Sequence, residues 1–387
     1  KRFDTTLQVD FKKITGSPIA YWVGDILRNV FSETGTLKGF AEPRQGLATG
    51  DNELFLRRWF EVDISKVGFG FESTLSAKSS GLKWFPHNKG GGERKWYGNQ
   101  EFIIDWWNDG YNITSDKQSK LAQGLIEKKN SECWNQEYYF LEGVTWSRTA
   151  HGNFCVRFQP NGSLFDTAAP TIYADKDKLF YLLAFLNSDV VSKCCELLNP
   201  SLSFQVGDLK RLPVFSIEHA NFNSLVVKEL YELSKNDWDS NELSWNFSSF
   251  PVFCNELSEV KESALYWMKR VNQLNNKINE LEVLNNDFFD ELYGVESNNT
   301  IKFSKKIVKN QLESGRYILN LLSYSIGCMM GRYSLNQEGL VYAHARNEGL
   351  SELVQQGAYK TFPADDDGII PLTDQEWFAD DATQRFR

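Results

Sequence analysis

Apolar residues recur at helical spacing along the stretch that begins near Leu257, which is the longest regular pattern in the chain. Steps of three and four positions lead to Leu281, Leu284 falls out of register, and the pattern then resumes. Asn255 is suited to cap the start of a helix, and Gly294 is suited to end it. The pattern predicts one continuous helix, roughly 55 Å long at the usual rise per residue.

A second helical pattern occupies residues 301 to 331. Its apolar positions are Ile307, Leu312, Ile318, Leu322 and Ile326. Near the beginning of the sequence, Ser17 can cap a helix whose first turn holds Pro18, because the first turn does not need the amide that proline lacks. Helices are therefore expected near both ends of the sequence.

Strand signals lie between these helices. Gly46 and Gly50 flank a tight polar loop, and beyond it aromatic-rich runs alternate with Gly and Asn turns as far as Val214. These runs are EFIIDWW, EYYFLEGVTWS and NFCVRFQP, and such composition is typical of β-strands. The predicted fold class is mixed α+β: a sheet-containing domain, then a long-helix spacer, then a mostly helical C-terminal region.

Charge is distributed unevenly along the sequence. The formal net charge is −9, which disfavours contact with nucleic acid for the chain as a whole. Residues 78 to 98, however, hold five basic residues against one acid, and residues 362 to 387 hold seven acids against two arginines. Because salt screens charges beyond about 10 Å, a phosphate near this segment would respond to the local excess of +4. A nucleic-acid partner is therefore compatible with the sequence.

Cysteine usage and hydropathy indicate the compartment. The six cysteines match no zinc-binding spacing, so buried thiols in a reducing cytoplasm are expected. No apolar run reaches the length that a membrane span needs, and no membrane partner is expected. The sequence begins at Lys1 and not at a methionine, so we expect the chain to be a piece of a longer protein.

Two segments were considered as parts of a methyltransferase site. Val67-Gly68-Phe69-Gly70 lacks the strand and helix context of a cofactor loop and is expected to be a turn at a strand end. Leu198-Asn199-Pro200-Ser201 has one proline and no aromatic residue, unlike the tetrapeptide that holds a flipped base. The four histidines are scattered. We therefore predict no catalytic, cofactor-binding or metal-binding residue in this chain, and a fragment that alone does not catalyse.

The basic segment Leu82 to Asn99 is the strongest candidate for binding DNA. Its predicted phosphate or base contacts are Lys83, Lys89, Arg94 and Lys95. Gly90 and Gly91 would let the backbone approach a phosphate closely. Tyr97, like three neighbouring aromatic residues, could stack on a base or could equally fill the core.

A second group of candidate residues lies further along the sequence. Arg148, in the run TWSR, and Arg157 could each grip guanine through two parallel hydrogen bonds, although either could instead form a surface ion pair. Gln205 follows an apolar helix and a turn, and it could position the DNA backbone or simply hold that turn. These residues complete the predicted DNA-binding set.

The order of several segments resembles one family. YLLAFLNS, LNPSLSFQVGDLK and LPV resemble the closing part of a target recognition domain. Together with GLATGDNELFLRRWFEV, KWFPHNKGGGERKWYGN and GCMMGRYSLNQEGLVYA, they resemble the PglX family of adenine-specific DNA methyltransferases of BREX phage-defence systems. The resemblance implies a recognition domain that selects a non-palindromic site, while a methyltransferase core outside this chain binds S-adenosylmethionine and modifies the adenine.

The resemblance also suggests domain boundaries and partners. The expected parts are the end of the core or a linker (1–45), the recognition domain (46–215), a connector (216–254), a helical spacer (255–331) and an acidic segment (332–387). Expected partners are double-stranded DNA, the protein's own N-terminal methyltransferase core and other BREX proteins. Two alternatives remain at this point: a stand-alone DNA-binding specificity subunit, and a Trp-rich carbohydrate-binding module.

Overall fold

A computed structural model describes residues 25–127, 132–149, 152–199, 201, 203–250, 259–295, 314–342, 349–373 and 381–382. Helices and strands are mixed along the chain, which confirms the α+β class. The strands are β1 Gly35–Thr36, β2 Glu42–Arg44, β3 Leu56–Arg58, β4 Trp84–Asn88, β5 Phe102–Asp105, β6 Gly143–Trp146, β7 Val156–Gln159, β8 Leu164–Phe165, β9 Thr171–Tyr173 and β10 Pro213–Val214. The helices are α1 Asp25–Glu33, α2 Leu37–Phe40, α3 Asn52–Phe55, α4 Thr74–Ser79, α5 Trp107–Ala122, α6 Lys176–Leu186, α7 Asp189–Leu198, α8 Val206–Leu209, α9 Ile217–Ala220, α10 Leu225–Asp239, α11 Val260–Tyr293, α12 Ser314–Met329 and α13 Leu350–Gln355.

The chain divides into two compact units that alternate along the sequence. The first draws on Lys1–Arg58, Val67–Lys235 and Asn276–Ile307, and the second draws on Trp59–Lys66, Asn236–Asn275 and Val308–Arg387. The helix α11 thus belongs to the second unit up to Asn275 and to the first unit from Asn276. The five-part division expected from the sequence stays a prediction.

In the first unit, the described strands form two four-stranded sheets and a short two-stranded pair. One sheet has the order β2-β9-β6-β7 and is antiparallel throughout. The other has the order β3-β5-β4-β8, in which β4 and β8 run parallel. Three of these strands come from the aromatic runs EFIIDWW, EYYFLEGVTWS and NFCVRFQP, so the strand prediction for these runs is confirmed.

The core of the first unit is built from large aromatic rings. Phe85, Phe140 and Tyr139 are buried, and Tyr139 packs edge to face on both Trp106 and Phe165. Edge-to-face packing suits the charge distribution of aromatic rings and adds about 0.5–1.5 kcal/mol per pair to the burial itself. The backbone also approaches closely here, because a Cβ atom at Gly46 would lie 2.0 Å from the carbonyl oxygen of Phe165.

The long helix was predicted correctly over its described part. α11 runs for 34 residues and ends at Gly294, whose φ of 62° is the left-handed conformation that closes a helix. Leu284, predicted to fall out of register, has 55% of its surface exposed. The cap expected at Asn255 and the apolar position Leu257 lie outside the described residues. Buried positions of the stripe include Trp267, Val271, Ile278 and Leu281. Beyond Leu284 the pattern predicted Phe288 and Leu292, which are half-buried, whereas Phe289 is buried.

The described part of the second predicted helix forms α12, but a different face is buried. Within α12, Ile318 and Leu322 are exposed, whereas Tyr317 and Tyr324 are buried. In the second unit Tyr317 packs against Trp267, and Tyr324 stacks on Tyr333. The expected apolar face is therefore wrong, because tyrosine rings rather than aliphatic side chains make the packed surface. Ile307, Leu312, Ser17 and Pro18 lie outside the described residues.

Thiols and hydropathy complete the description. Cys155, Cys194, Cys195 and Cys328 are buried free thiols, and Cys133 is a half-buried one. Burial raises the pKa of Cys194 to about 12, so the thiol stays protonated and unreactive at neutral pH. Among the helices that the structure describes, none combines the length and the apolar character needed to cross a membrane.

Candidate nucleic-acid interface

Several loops of the first unit meet at one end of its sheets. The loops after β4, β6 and β8 follow the carboxyl ends of their strands, and hydrogen bonds tie them together. The Ser147 hydroxyl donates to the Gly91 carbonyl at 3.0 Å, and the Arg148 amide donates to the Ala168 carbonyl at 2.9 Å. The segment before α8 joins them, since the Phe204 amide donates to the Arg148 carbonyl at 2.7 Å. We call residues 89–92, 147–149, 166–168 and 203–205 the loop cluster.

Glycine is required in the first of these loops. Gly90 and Gly91 have φ values of 91° and 124°, which side chains of L residues rarely allow. A Cβ atom at Gly91 would also lie 2.8 Å from the side-chain nitrogen of Asn99. Within the described part of the chain, no hydrogen bond engages the amides of Gly91 and Gly92, both of which are exposed. This loop can therefore present two backbone donors to an oxyanion.

A buried carboxylate holds the loop cluster in place. Asp166 is 1% exposed, and one of its oxygens contacts both the His87 ring, at 3.2 Å, and the Lys89 ammonium, at 2.7 Å. Its other oxygen accepts hydrogen bonds from the Ala168 amide and the Thr167 hydroxyl. Asp166 thereby links the loops after β4 and β8.

Burial and charge set the protonation of this group. Burial alone would raise the pKa of Asp166, but the hydrogen bond from His87 and the charge of Lys89 outweigh it and hold the pKa at about 2. Burial dominates at His87 and lowers its pKa. The His87 ring is therefore neutral near pH 7, and the ammonium of Lys89 supplies the positive charge that pairs with Asp166.

Folding stability is therefore expected to decline as the pH falls below 6.5, the ordinary pKa of histidine. In that range the unfolded chain binds a proton at His87, whereas the folded chain does not, because burial lowers the pKa of His87. Acid therefore favours unfolding. A second decline should begin below 3.8, where unfolded Asp166 takes up a proton. Urea unfolding between pH 7.5 and pH 5 should show the first decline, and His87→Gln should flatten it. His219→Gln, at an exposed histidine, should leave it unchanged; a flat wild-type profile would contradict the expectation.

Partners distant in the sequence neutralise much of the local positive charge. The excess of +4 was counted over neighbouring residues, but the fold brings acids to them from elsewhere. The ion pairs are Lys78 with Asp109, Lys83 with Asp105, Lys89 with Asp166, and Lys95 with Glu282. A phosphate contact at one of these lysines must therefore compete with a carboxylate already in place.

The ten predicted DNA-binding residues fall into three places. Lys89, Gly90, Gly91, Arg148 and Gln205 lie in the loop cluster, and Arg157 lies beneath it on β7. Lys83 lies at the other end of β4, where it pairs with Asp105. Arg94, Lys95 and Tyr97 contact residues of α10 and α11 instead. The DNA-binding role of all ten stays a prediction.

The aromatic residues of the basic segment are buried. Trp84, Phe85, Trp96 and Tyr97 are each less than 9% exposed. The Tyr97 ring packs edge to face on Tyr231, and the Trp96 indole donates to Glu282 at 2.8 Å. Stacking of Tyr97 on a base would require it to leave that packing. Among the described tryptophans, Trp107 and Trp134 are exposed. Most of the described indoles, whose number suggested a carbohydrate-binding module, therefore fill the interior.

Arg157 and Arg148 differ in their surroundings. Arg157 is fully buried, and burial, aided by the charge of Arg94, lowers its pKa to about 10. One guanidinium nitrogen approaches the Ser147 hydroxyl at 3.4 Å, while Nε and Nη2 have no partner among the described residues. Arg148 is half-buried, and no described residue forms an ion pair or hydrogen bond with its guanidinium.

Sequence reasoning missed the residues that position the loop cluster. His87 and Asp166 were not singled out, because they are 79 residues apart and no local pattern connects them. Glu282 was not singled out either, although it pairs with Lys95 and accepts a hydrogen bond from Trp96. The clue available in the sequence was the presence of polar residues inside otherwise apolar runs, at WFPHN and SLFDT.

The two segments compared with methyltransferase elements are both engaged within the fold. The Gly68 amide donates to the Trp84 carbonyl, and a Cβ atom there would lie 2.5 Å from the Phe85 ring, so the segment is a turn packed on β4. The side-chain amide of Asn199 donates to the Ser203 carbonyl and to the Asp208 carboxylate. Pro200 lies outside the described residues. Throughout the described ranges, no group of three or more potential ligand side chains could hold a metal ion.

The chain has relatives among known proteins. No family model matches the chain. Over its whole length, however, the chain is homologous to proteins named adenine-specific methyltransferases. These relatives include BrxX of Escherichia coli O9:H4 (strain HS), 37% identical over 100% of this chain, and PglX of Lacticaseibacillus casei (strain Zhang), 36% identical over 97% of it. The resemblance to PglX is thus confirmed, and the chain spans about a third of the length of these relatives.

Proposed function

We propose that this chain is the DNA target-recognition part of a site-specific adenine DNA methyltransferase of a BREX phage-defence system. The observation that carries the proposal is the homology, over the whole chain, to proteins named adenine-specific methyltransferases. The loop cluster supports it, because one end of the first unit's sheets gathers the amides of exposed glycines, Lys89, Arg148 and Gln205. Donors of this kind contact phosphates and base edges in protein–DNA complexes.

In this proposal recognition and chemistry are divided between parts of the protein. The two segments weighed as methyltransferase elements are a packed turn and an engaged asparagine, while the relatives are about three times as long as this chain. The S-adenosylmethionine site and the transfer of the methyl group then belong to an N-terminal core. That core, double-stranded DNA and other BREX proteins are the proposed partners, in the cytoplasm.

The loop cluster offers three kinds of DNA contact. The amides of Gly91 and Gly92 suit a phosphate oxygen, and they carry no sequence information. Arg148 suits guanine, which accepts two parallel hydrogen bonds in the major groove. Gln205, held by its hydrogen bond to the Ser203 hydroxyl at 2.6 Å, suits adenine.

The chain is expected to bind duplex DNA with a sequence preference that depends on Arg148. Duplexes retained by the wild-type chain would be selected from a random pool, and affinities measured at low and physiological salt. Arg148→Ala should cost about 1–3 kcal/mol on selected duplexes and relax the preference at one base pair.

Lys176→Met is the matched control. Lys176 is 89% exposed, and it pairs with Glu142 at the opposite end of β6 from Arg148. Its removal deletes one positive charge without touching the loop cluster, so affinity and preference should both persist. No retention of any duplex at low salt would refute the proposed function, and equal losses for the two variants would refute the role of Arg148.

A further inference from the structure

Arg157 has more buried side-chain atoms without a partner than any other described residue. It lies on β7 opposite Thr145 of β6, and its neighbour on the same face of the strand, Gln159, bonds to Asn88, Thr171 and the Leu141 carbonyl. The oxygen and the nitrogen of the Gln159 side chain therefore both have hydrogen-bond partners. Arg157 differs, because two of its guanidinium nitrogens are unpaired among the described residues.

An unpaired buried cation is strongly unfavourable. Removing a guanidinium from water is costly unless a carboxylate or a set of acceptors compensates for the lost hydration. Here the described contacts supply a single hydroxyl, that of Ser147, at 3.4 Å. A second cation, Arg94, lowers the pKa of Arg157 further. A well-packed neutral side chain would be the more stable occupant, so retention of an arginine calls for a function.

The Arg157 guanidinium is linked to the glycine loop, residues 90–92. Ser147 connects the two, because its hydroxyl donates to the Gly91 carbonyl and also contacts Arg157. Beyond Lys89, which Asp166 anchors, residues 90–92 are held by the Ser147 contact, by the bond that Asn99 donates to the Gly92 carbonyl at 2.8 Å, and by the bond that the Gly90 amide donates to the Asn88 side chain at 3.4 Å. Two consecutive residues with positive φ give this loop conformations that other residues lack.

We propose that Arg157, Ser147 and the amides of Gly91 and Gly92 form a covered oxyanion site, which a phosphate group enters when the glycine loop lifts away from Ser147. The incoming oxygens pair with the two unpaired nitrogens and take over the Ser147 hydroxyl that the Gly91 carbonyl holds in the closed state. Resting on the proposed function, we assign the physiological phosphate to the DNA backbone; free phosphate has the same chemistry and serves as a probe.

The first test measures the melting temperature of the full chain with inorganic phosphate, at an ionic strength matched with chloride. Phosphate should raise the melting temperature of the wild type and of Lys176→Met, and the rise should vanish in Arg157→Met. Without phosphate, Arg157→Met should be as stable as the wild type or more so, because it removes an uncompensated buried charge. Ser147→Ala keeps the charge and should reduce the response to phosphate.

The second test uses duplex DNA. Arg157→Met should weaken binding about tenfold or more, alike for all sequences, and reduce the slope of log affinity against log salt by about one. Loss of the phosphate response in Arg157→Met with unchanged duplex binding would overturn the assignment to DNA. An unchanged phosphate response, or an Arg157→Met chain that melts several degrees lower without phosphate, would overturn the oxyanion site. Failure of the proposed function is distinct, since the wild type would then respond to phosphate and bind no duplex.

Discussion

Asp166→Ala is expected to lower the free energy of unfolding by about 3 kcal/mol. The substitution leaves the Lys89 ammonium, the His87 ring and the Ala168 amide without the acceptor that they share. Lys89 is 24% exposed and can regain water, so the loss should lie at the low end for a broken buried pair. Urea unfolding measures it, and hydrogen exchange should report faster exchange in the loops after β4 and β8.

Asp175→Ala provides the control for this result. Asp175 is 75% exposed and pairs with Lys178 three residues later, at 2.8 Å. Exposed pairs of this kind contribute little, and a change within about 0.5 kcal/mol is expected. Equal effects of the two substitutions would show that Asp166 does not hold the loop cluster together.

Glu282→Ala should produce a loss of similar size, about 3 kcal/mol. Glu282 accepts from the Trp96 indole at 2.8 Å and pairs with the Lys95 ammonium at 3.3 Å, and both partners are largely buried. Burial lowers the pKa of Lys95, but the charge and hydrogen bond of Glu282 outweigh it and raise the pKa above 10.5. The contribution that comes from the raised pKa of Lys95 is therefore fully present at neutral pH and is lost as the pH rises through that raised value.

The double variant Lys95→Met with Glu282→Met separates two explanations of this loss. If the cost of Glu282→Ala comes from an uncompensated ammonium, removal of both charges should recover much of the stability. Glu280→Ala, at an exposed position on the same helix, should change stability by less than about 0.5 kcal/mol. A double variant that is no more stable than Glu282→Ala would contradict the ion-pair explanation.

Local pattern predicted the regular elements, because helices and strands repeat over short distances. The long helix ends at Gly294 and exposes Leu284, as its periodicity required. The face of α12 was wrong, since the pattern counted Ile318 and Leu322 while the packed side uses Tyr317 and Tyr324. Tyrosine has both apolar and polar character, so periodicity alone does not say which way it faces.

The candidate site was predictable only in part, for a different reason. The glycines and Arg148 stand out in the sequence, but their companions do not. Lys89 and Asp166 are 77 residues apart, and Lys95 and Glu282 are 187 residues apart. A count of charges over neighbouring residues therefore overstates the positive potential wherever the fold supplies distant carboxylates.

On the proposed function, the alternation of the two compact units along the chain bears on how a preference for a DNA site could be exchanged between relatives. A swap limited to residues 46–215 would replace the segments that hold Trp96 and Ala184. It would leave their partners unchanged: Glu282, which accepts from the Trp96 indole, and Asn285, whose side-chain amide donates to the Ala184 carbonyl at 3.1 Å. Hybrid proteins made that way would carry mismatched buried polar pairs. Successful recombination should therefore transfer Asn276–Ile307 together with the earlier block, so that inheritance of a new specificity takes two crossovers more than a contiguous module would.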